Sequence, residues 1–321
     1  MLDISTIILT YNEQLHIERC ISNAQRYAQE VFVVDSFSTD DTVAIARRMG
    51  AHVVQHAFTT HADQLNWALQ HLPLHTEWVW KQDADEYLSD ELIDELQHTV
   101  PTMSPDINGY TARCERIFMG RHIKHGIVPL ILLRLFRREY AHVEKKMMDE
   151  HVVLSQGTTA ALQHPFYDDN RNNLAWWTQK HNGYADKEAI ELLLTKYGMH
   201  DAEVVNSGAH AQKVRKKKLR YTRLPLFWRA FAFFCYRYFL RLGFLDGKEG
   251  FLWHFLQGFW YRTLADAKAY EIEKNLKHDP QCIRQYLQQR VEASRNAAAP
   301  SDTKNAIPAS STGRAQETIK A

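Results

Sequence analysis

The stretch Gln82-Asp83-Ala84-Asp85-Glu86 sets two carboxylates two residues apart, directly after the β-rich apolar run Glu77 to Gln82. In an extended segment, side chains at i and i+2 point the same way, so Asp83 and Asp85 can face one crevice together. Hard carboxylate oxygens suit Mg2+ or Mn2+, which take one or two carboxylates and complete their shell with water and phosphate oxygens. Other apolar runs also end in polar residues: Thr10-Tyr11-Asn12-Glu13 follows Ile4 to Leu9, and Asp35-Ser36 follows Val31 to Val34. No GxxxxGK[ST] or GxGxxG turn follows any of them, which excludes a glycine-rich phosphate cradle. A diphosphate bound among these residues needs positive charge from another source, and a divalent cation supplies it.

Strand ends must hold these residues in place. Ile4 to Leu9 reads as a strand buried on both faces. Ile17, Cys20, Ile21, Ala24 and Ala28 then recur at helical spacing, with Glu18 and Arg19 facing out. Val31 to Val34 is a second strand. Ser38 with Asp41 has the form of a capping box for a helix that stops at Gly50. Ala51 to Gln55 is a third strand, Ala62 to Gln70 a helix, and Glu77 to Gln82 a fourth strand before a Ser89-capped helix bearing Leu92, Ile93 and Leu96. This βαβαβαβα order predicts a parallel sheet covered on both faces, with ligands beyond the carboxyl ends of its strands. After Pro105 four strands follow without helices (Gly109 to Phe118, Ile131 to Phe136, Val152 to Leu154, Thr158 to Leu162), predicting a small antiparallel extension. From Asn172 the pattern is helical again.

Composition bounds the function. The 321 residues carry a net charge of +1, so nothing global argues for nucleic acid. Four scattered cysteines, Cys20, Cys114, Cys235 and Cys282, have no ligand spacing and fit a reducing compartment. Ile4 to Leu9 is too short for a signal or a span, and the expected location is cytoplasmic. Lys213 to Arg223 is polybasic and leads into the aromatic stretch Leu224 to Leu245. In a span, Arg229, Arg237 and Arg241 would each cost up to ~3 kcal/mol near the bilayer centre. At 100° per residue they instead share about one third of the helix circumference, which predicts a helix lying in a membrane interface. Attraction of the basic run to anionic lipid would assist it. Beyond Glu292 the chain is rich in Ala, Ser, Pro and Thr and reads as a disordered tail.

Ser5 to Glu13, then Val33 to Thr42, then Gln82 to Glu86 together resemble the family 2 glycosyltransferases with the GT-A fold, in order and spacing as well as in residues. The branch most similar builds bacterial lipopolysaccharide core and surface polysaccharides, and the resemblance extends over residues 1–275. It implies a Rossmann-like, mostly parallel sheet. It also implies that Thr10, Tyr11, Asn12 and Glu13 bracket the donor nucleotide, with Tyr11 against the base. Asp35 would bond the base or ribose, Asp83 and Ala84 would lie by the ribose and sugar, and Asp85, with Asp83, would hold the metal. Gln64 falls where the family places a donor-side helix beside His61. Leu133-Arg134-Leu135-Phe136-Arg137 resembles the strand that precedes the family's acidic motif, here Met148-Asp149-Glu150-His151. Glu150 is the first choice for general base and Asp149 the second. His164 stands where such enzymes place a histidine near the metal.

These roles imply an inverting, metal-dependent sugar transfer: a carboxylate takes the acceptor proton while the cation stabilises the departing nucleoside diphosphate. The expected partners are a nucleotide-sugar donor, by default a UDP-sugar, and a lipid-linked or polysaccharide acceptor at the cytoplasmic face of the inner membrane. No nucleic acid beyond the donor nucleotide is expected. A sugar-nucleotide nucleotidyltransferase and a non-catalytic membrane-bound nucleotide-sugar binder are the alternatives. The expected division is 1–105 for donor binding, 106–212 for acceptor binding, 213–291 for a membrane-associating helical region, and 292–321 for the tail.

Overall fold

The computed structural model describes residues 1–144, 151–199 and 224–297. The N-terminal apolar runs form β1 (Leu2–Thr10), β2 (Ala28–Asp35), β3 (His52–Gln55) and β4 (Trp78–Asp83), all parallel to one another. Helices α1 (Ile17–Ala24), α2 (Thr42–Arg48) and α3 (His61–His71) connect them. Alternation along β1 feeds two cores: Ile4 and Ile8 pack with Ile17, Cys20 and Ile21 of α1, while Ile7 and Leu9 pack with Ala62, Leu65 and Ala68 of α3. Both faces of the sheet are therefore covered, as the βα order predicts.

Two local expectations need correction. Helix α1 ends at Ala24 and Ala28 already belongs to β2, so its place in the helical period was coincidental. Ser38 caps no helix. Its hydroxyl donates to Asp35, and it accepts the Asn12 N–H at 2.8 Å, so it ties two loops together. Ser89 does cap α4 (Asp90–Thr99), accepting from the Leu92 N–H at 3.1 Å.

Strand β5 (Glu86–Leu88) follows the acidic turn. After α4 come β6 (Ile107–Phe118), β7 (Arg121–Ile123), β8 (Leu130–Arg137), β9 (Ala141–Val143), β10 (Val152–Leu154) and β11 (Thr158–Asp169). The main sheet runs β3-β2-β1-β4-β8-β6-β11-β5, with β7 on β6, while β9 and β10 form a separate pair. The antiparallel extension holds for β4–β8, β8–β6 and β11–β5, but β6 and β11 are parallel. Strand β11 also passes the expected end at Leu162 and continues to Asp169. Proline in a strand interior removes a ladder donor, and Pro165 is tolerated because it falls where the β6–β11 register shifts between Ala161 and Pro165.

The C-terminal half is helical: α5 (Leu174–Lys196), α6 (Trp228–Cys235), α7 (Gly247–Trp253), α8 (Tyr261–Asn275) and α9 (Pro280–Ala297). A π-helical turn at Tyr236–Leu240 extends α6, and another at His254–Trp260 joins α7 to α8. Helix α9 corrects the tail boundary, since residues 292–297 are helical. The polybasic run 213–223 lies outside the described residues. Trp253 and Trp177 pack with Phe118 and Ile123, which docks the helices against β6 and β7. Among the described residues no helix is long and apolar enough to cross a membrane.

The expected arginine face is also corrected. Arg229 and Arg237 are buried, and only Arg241 is exposed. Arg229 pairs with Asp266 of α8, and Arg237 donates to the Gly126 carbonyl at 2.8 Å.

Candidate functional site

Sheet register aligns the polar residues. Thr10 stands beside Asp35, Leu9 beside Asp83, and Asp35 beside Gln55, so the carboxyl ends of four adjacent strands form one polar row. Asp35 is wholly buried. Its oxygens accept from the Thr10 hydroxyl at 3.2 Å, the Ser38 N–H at 2.9 Å, the Ser38 hydroxyl and Gln55 Nε2 at 3.0 Å. A buried carboxylate with four donors is an anchor. Here it fixes the two loops.

The loop Thr10–Glu13 is stitched to the loop after β2 through backbone groups. Asn12, at φ +55°, accepts the Thr39 N–H at 2.8 Å, and the Glu13 N–H donates to the Thr42 hydroxyl at 2.8 Å. Glu13 is held by His16 Nδ1 at 2.5 Å, and His16 Nε2 accepts the Arg171 N–H at 2.8 Å. Tyr11 stands at the crest of this rigid loop and is 57% exposed, leaving its ring free to stack. Gln64 lies behind the loop, buried, with Nε2 on Ser36 Oγ at 3.1 Å and Oε1 by His56 Nδ1 at 2.9 Å. It positions the loop and does not line a solvated helix face. Asn66 grips both backbone groups of Val143, at 3.0 and 2.8 Å, so α3 fixes the end of β9.

The acidic motif itself is a turn and not extended strand. Asp83 ends β4, and the Asp83 N–H donates to Glu86 Oε2 at 3.0 Å. The Asp83 carboxylate meets Lys81 Nζ at 2.6 Å and Arg134 Nη2 at 3.6 Å. Burial alone would raise its pKa, but Lys81 and Arg134 outweigh burial and hold the carboxyl well below the usual range, with His61 adding to them. Ala84 is buried in the core, so its side chain takes no part. Asp85 is half-buried. Its Oδ2 accepts Asn170 Nδ2 at 2.9 Å, and Oδ1 has no hydrogen-bond partner among the described residues. Glu86 is buried against Arg134 at 2.6 Å.

The end of β11 completes the site, and the sequence reading missed it by stopping that strand early. Asp168 pairs with Arg116 at 2.7 Å. Burial pushes its carboxyl up to about 6, against Arg116, with Asp85 and Asp83 pushing the same way. Arg19, expected to face solvent, instead reaches Asp169 and the Asp85 carbonyl, the latter at 3.2 Å. Arg116 in turn lies 5.1 Å from the Trp253 ring, so the aromatic helices abut the acidic centre.

These residues fit a divalent cation. Asp85 has a hard oxygen to give, and Asp83, Asp85 and Asp168 concentrate negative charge that a cation would relieve. Among the described residues no group of three His, Cys, Asp or Glu side chains forms a complete ligand cage. That leaves the remainder of a shell to water and phosphate, which is how Mg2+ is ordinarily held. His164 does not join them. It bonds Glu95 at 3.0 Å, and at a rise of about 3.3 Å per residue it is roughly 16 Å down β11 from Asp169, whose N–H meets the Asp85 carbonyl. Asp149 and Glu150 lie outside the described residues, between β9 and β10.

Residues 5–146 match the model of Glycosyl transferase family 2. An uncharacterized glycosyltransferase of Rickettsia felis is 28% identical over 257 residues, covering 78% of this chain and 83% of its own. One from Rickettsia typhi is 34% identical over 143 residues, covering 44% of this chain. That match spans about half the relative's length, 48%. Among solved structures, a mannosyltransferase of Pyrobaculum calidifontis in complex with GDP-Man and Mn2+ is 18% identical, covering 84% of this chain and 87% of its own, with a TM-score of 0.47. Glucosyl-3-phosphoglycerate synthase of Mycobacterium tuberculosis, with Mn2+ and UDP, is 22% identical, covering 36% and 44%, with a TM-score of 0.30. Both structural likenesses are distant.

Proposed function

We propose that this chain is an inverting, metal-dependent glycosyltransferase of GT-A type. It moves a sugar from a nucleotide-sugar donor, by default a UDP-sugar, to a lipid-linked or polysaccharide acceptor at the cytoplasmic face of the inner membrane. The observation that carries the reading is the acidic turn at the carboxyl end of β4. There, Asp83 is held ionised by Lys81 and Arg134, and Asp85 keeps an oxygen open beside the anchored Tyr11 loop.

Each residue then has a defined task. The exposed Tyr11 ring stacks on the nucleobase while Asp35, Ser38 and Gln64 keep its loop rigid. Asp83 accepts hydrogen bonds from donor hydroxyls, and Lys81 and Arg134 fix the direction of its oxygens. A divalent cation bound at Asp85 would offset the charge that builds on the departing diphosphate. Glu150, or Asp149 in its place, takes the proton from the acceptor hydroxyl as that oxygen attacks the anomeric carbon. Asn66 supports this step indirectly by clamping Val143 ahead of the acidic motif. A single displacement inverts the anomeric centre. The aromatic helices, which reach the centre through Trp253 and Arg116, form the acceptor side.

A screen of nucleotide sugars with Mn2+ tests the reading. One donor should raise the melting temperature and be slowly hydrolysed, with Asp85→Asn abolishing both effects. No stabilisation by any donor with metal present would overturn it.

A further inference from the structure

The segment from Trp228 to Leu245 is polarised the reverse way from a helix that faces water. Trp228 is 72% and Leu240 76% exposed, and Phe231, Phe239, Phe244 and Leu245 are exposed with them. Ring contacts connect the aromatic members: Trp228 meets Phe231 at 6.3 Å, half-buried Phe259 and Phe234 carry the chain of rings from Phe231 to Phe239, and Tyr238 joins Phe239 at 5.1 Å to Phe244 at 6.3 Å. Two of its three arginines turn inward, and only Arg241 stays exposed. Arg229 Nε stands 3.0 Å from both Asp266 oxygens, and Arg237 spends its Nε on the Gly126 carbonyl. A soluble helix ordinarily buries its apolar stripe and exposes its charges. A contiguous apolar surface of this kind marks a place where something binds.

We propose that this aromatic face inserts into the headgroup region of an anionic lipid bilayer. Charge selects the occupant. Seven of the eleven residues from Lys213 to Arg223 are Lys or Arg, in a chain whose net charge is only +1, and Leu224 follows directly. Basic residues beside an aromatic surface recognise negatively charged headgroups, and tryptophan and tyrosine favour that boundary. The chain's own remaining segments suit the face poorly. Residues 298–321 hold Ile307 and Ile319 as their only large apolar side chains, and 200–223 is mainly polar and basic. The inference deepens the membrane-side acceptor proposed above, naming the surface that would bring the acidic centre to a lipid-borne substrate. Its primary readout, flotation with vesicles, uses neither donor nor acceptor.

Flotation of the full chain with phosphatidylcholine vesicles, with and without phosphatidylglycerol, provides that test. The protein should float with the anionic vesicles, and Leu240→Asp or Phe231→Asp should weaken partitioning by about tenfold. Both positions are exposed, so stabilisation by a nucleotide sugar with Mn2+ serves as the folding control and should be unchanged. Equal flotation of variant and parent would overturn the proposal, leaving the basic run to bind lipid alone. Absence of flotation, with Leu240→Asp converting a dimer to a monomer in sedimentation, would assign the face to a second copy of the chain and also overturn it. Flotation without donor stabilisation would leave the lipid surface standing and remove the sugar-transfer reading instead.

Discussion

The strand-end site and the aromatic helices solve the problem of charge in opposite ways. At the carboxyl ends of β1, β2 and β4, charged groups are gathered at one edge of the sheet and aimed by hydrogen bonds, with the rings of Tyr11 and Phe37 exposed beside them. In α6 and the π-helical turn after it, Arg229 and Arg237 are withdrawn into protein and Trp228, Phe231 and Phe239 are turned out. The first arrangement invites a polar, charged ligand. The second excludes water-borne charge and invites an apolar surface. Trp253 on Arg116, which pairs with Asp168, is where the two regions touch.

The contrast can be broken from either side. The largest expected effect is on chemistry: Glu150→Gln should lower kcat about a thousandfold while leaving donor affinity near normal. A normal rate in both Glu150→Gln and Asp149→Asn would remove the acidic motif from the mechanism. Next is stability in the aromatic region. Arg229→Met strands a buried Asp266 and should cost about 3–5 kcal/mol in urea unfolding, far more than an exposed arginine such as Arg241→Met would cost. Gln64→Leu unpairs Ser36 and His56 and should cost about 1–3 kcal/mol, with a raised KM for the donor and a smaller change in kcat.

The smallest effects are in pH dependence, where the regions should have opposite signs. Asp168 titrates near 6 in the folded state because burial, Asp85 and Asp83 outweigh Arg116. The folded chain therefore keeps a proton that the unfolded chain releases near its ordinary value, so stability falls as pH rises from about 4 to about 6. His254 is lowered to about 4 by burial and by Arg237. The unfolded chain there takes up a proton that the folded chain refuses, so stability falls as pH drops from about 6.5 to about 4. Each contribution is on the order of 1–3 kcal/mol. Asp168→Asn should expose the rising slope and His254→Gln the falling one, both read from melting temperature against pH.

Much of the first region was legible in the sequence because its signals are local. Apolar runs fixed β1, β2 and β4, and polar residues at their ends marked the crevice. What escaped depended on long-range packing. Asp168, Asn170 and Arg19 reach the site only because β11 continues through Pro165, and a proline mid-strand reads as a stop unless the register shift beside it is known. The burial of Asp35 and Gln64 was not legible in the sequence, since burial is a property of the assembled sheet and α3. His164 was misplaced by the same early end to β11. In the second region the sequence showed arginines at one-third of the helix circumference, but not that Asp266 and the Gly126 carbonyl would draw two of them inside.

Calorimetric titration of the identified nucleotide sugar, with Mn2+ and with EDTA, probes the acidic turn most directly. Binding should require the metal in the parent chain and be lost or weakened at least about a hundredfold in Asp85→Asn, whose single changed atom removes the charge but not the turn. Metal-independent binding of equal strength in both proteins would contradict the assignment of Asp85 and the role of the turn built on it.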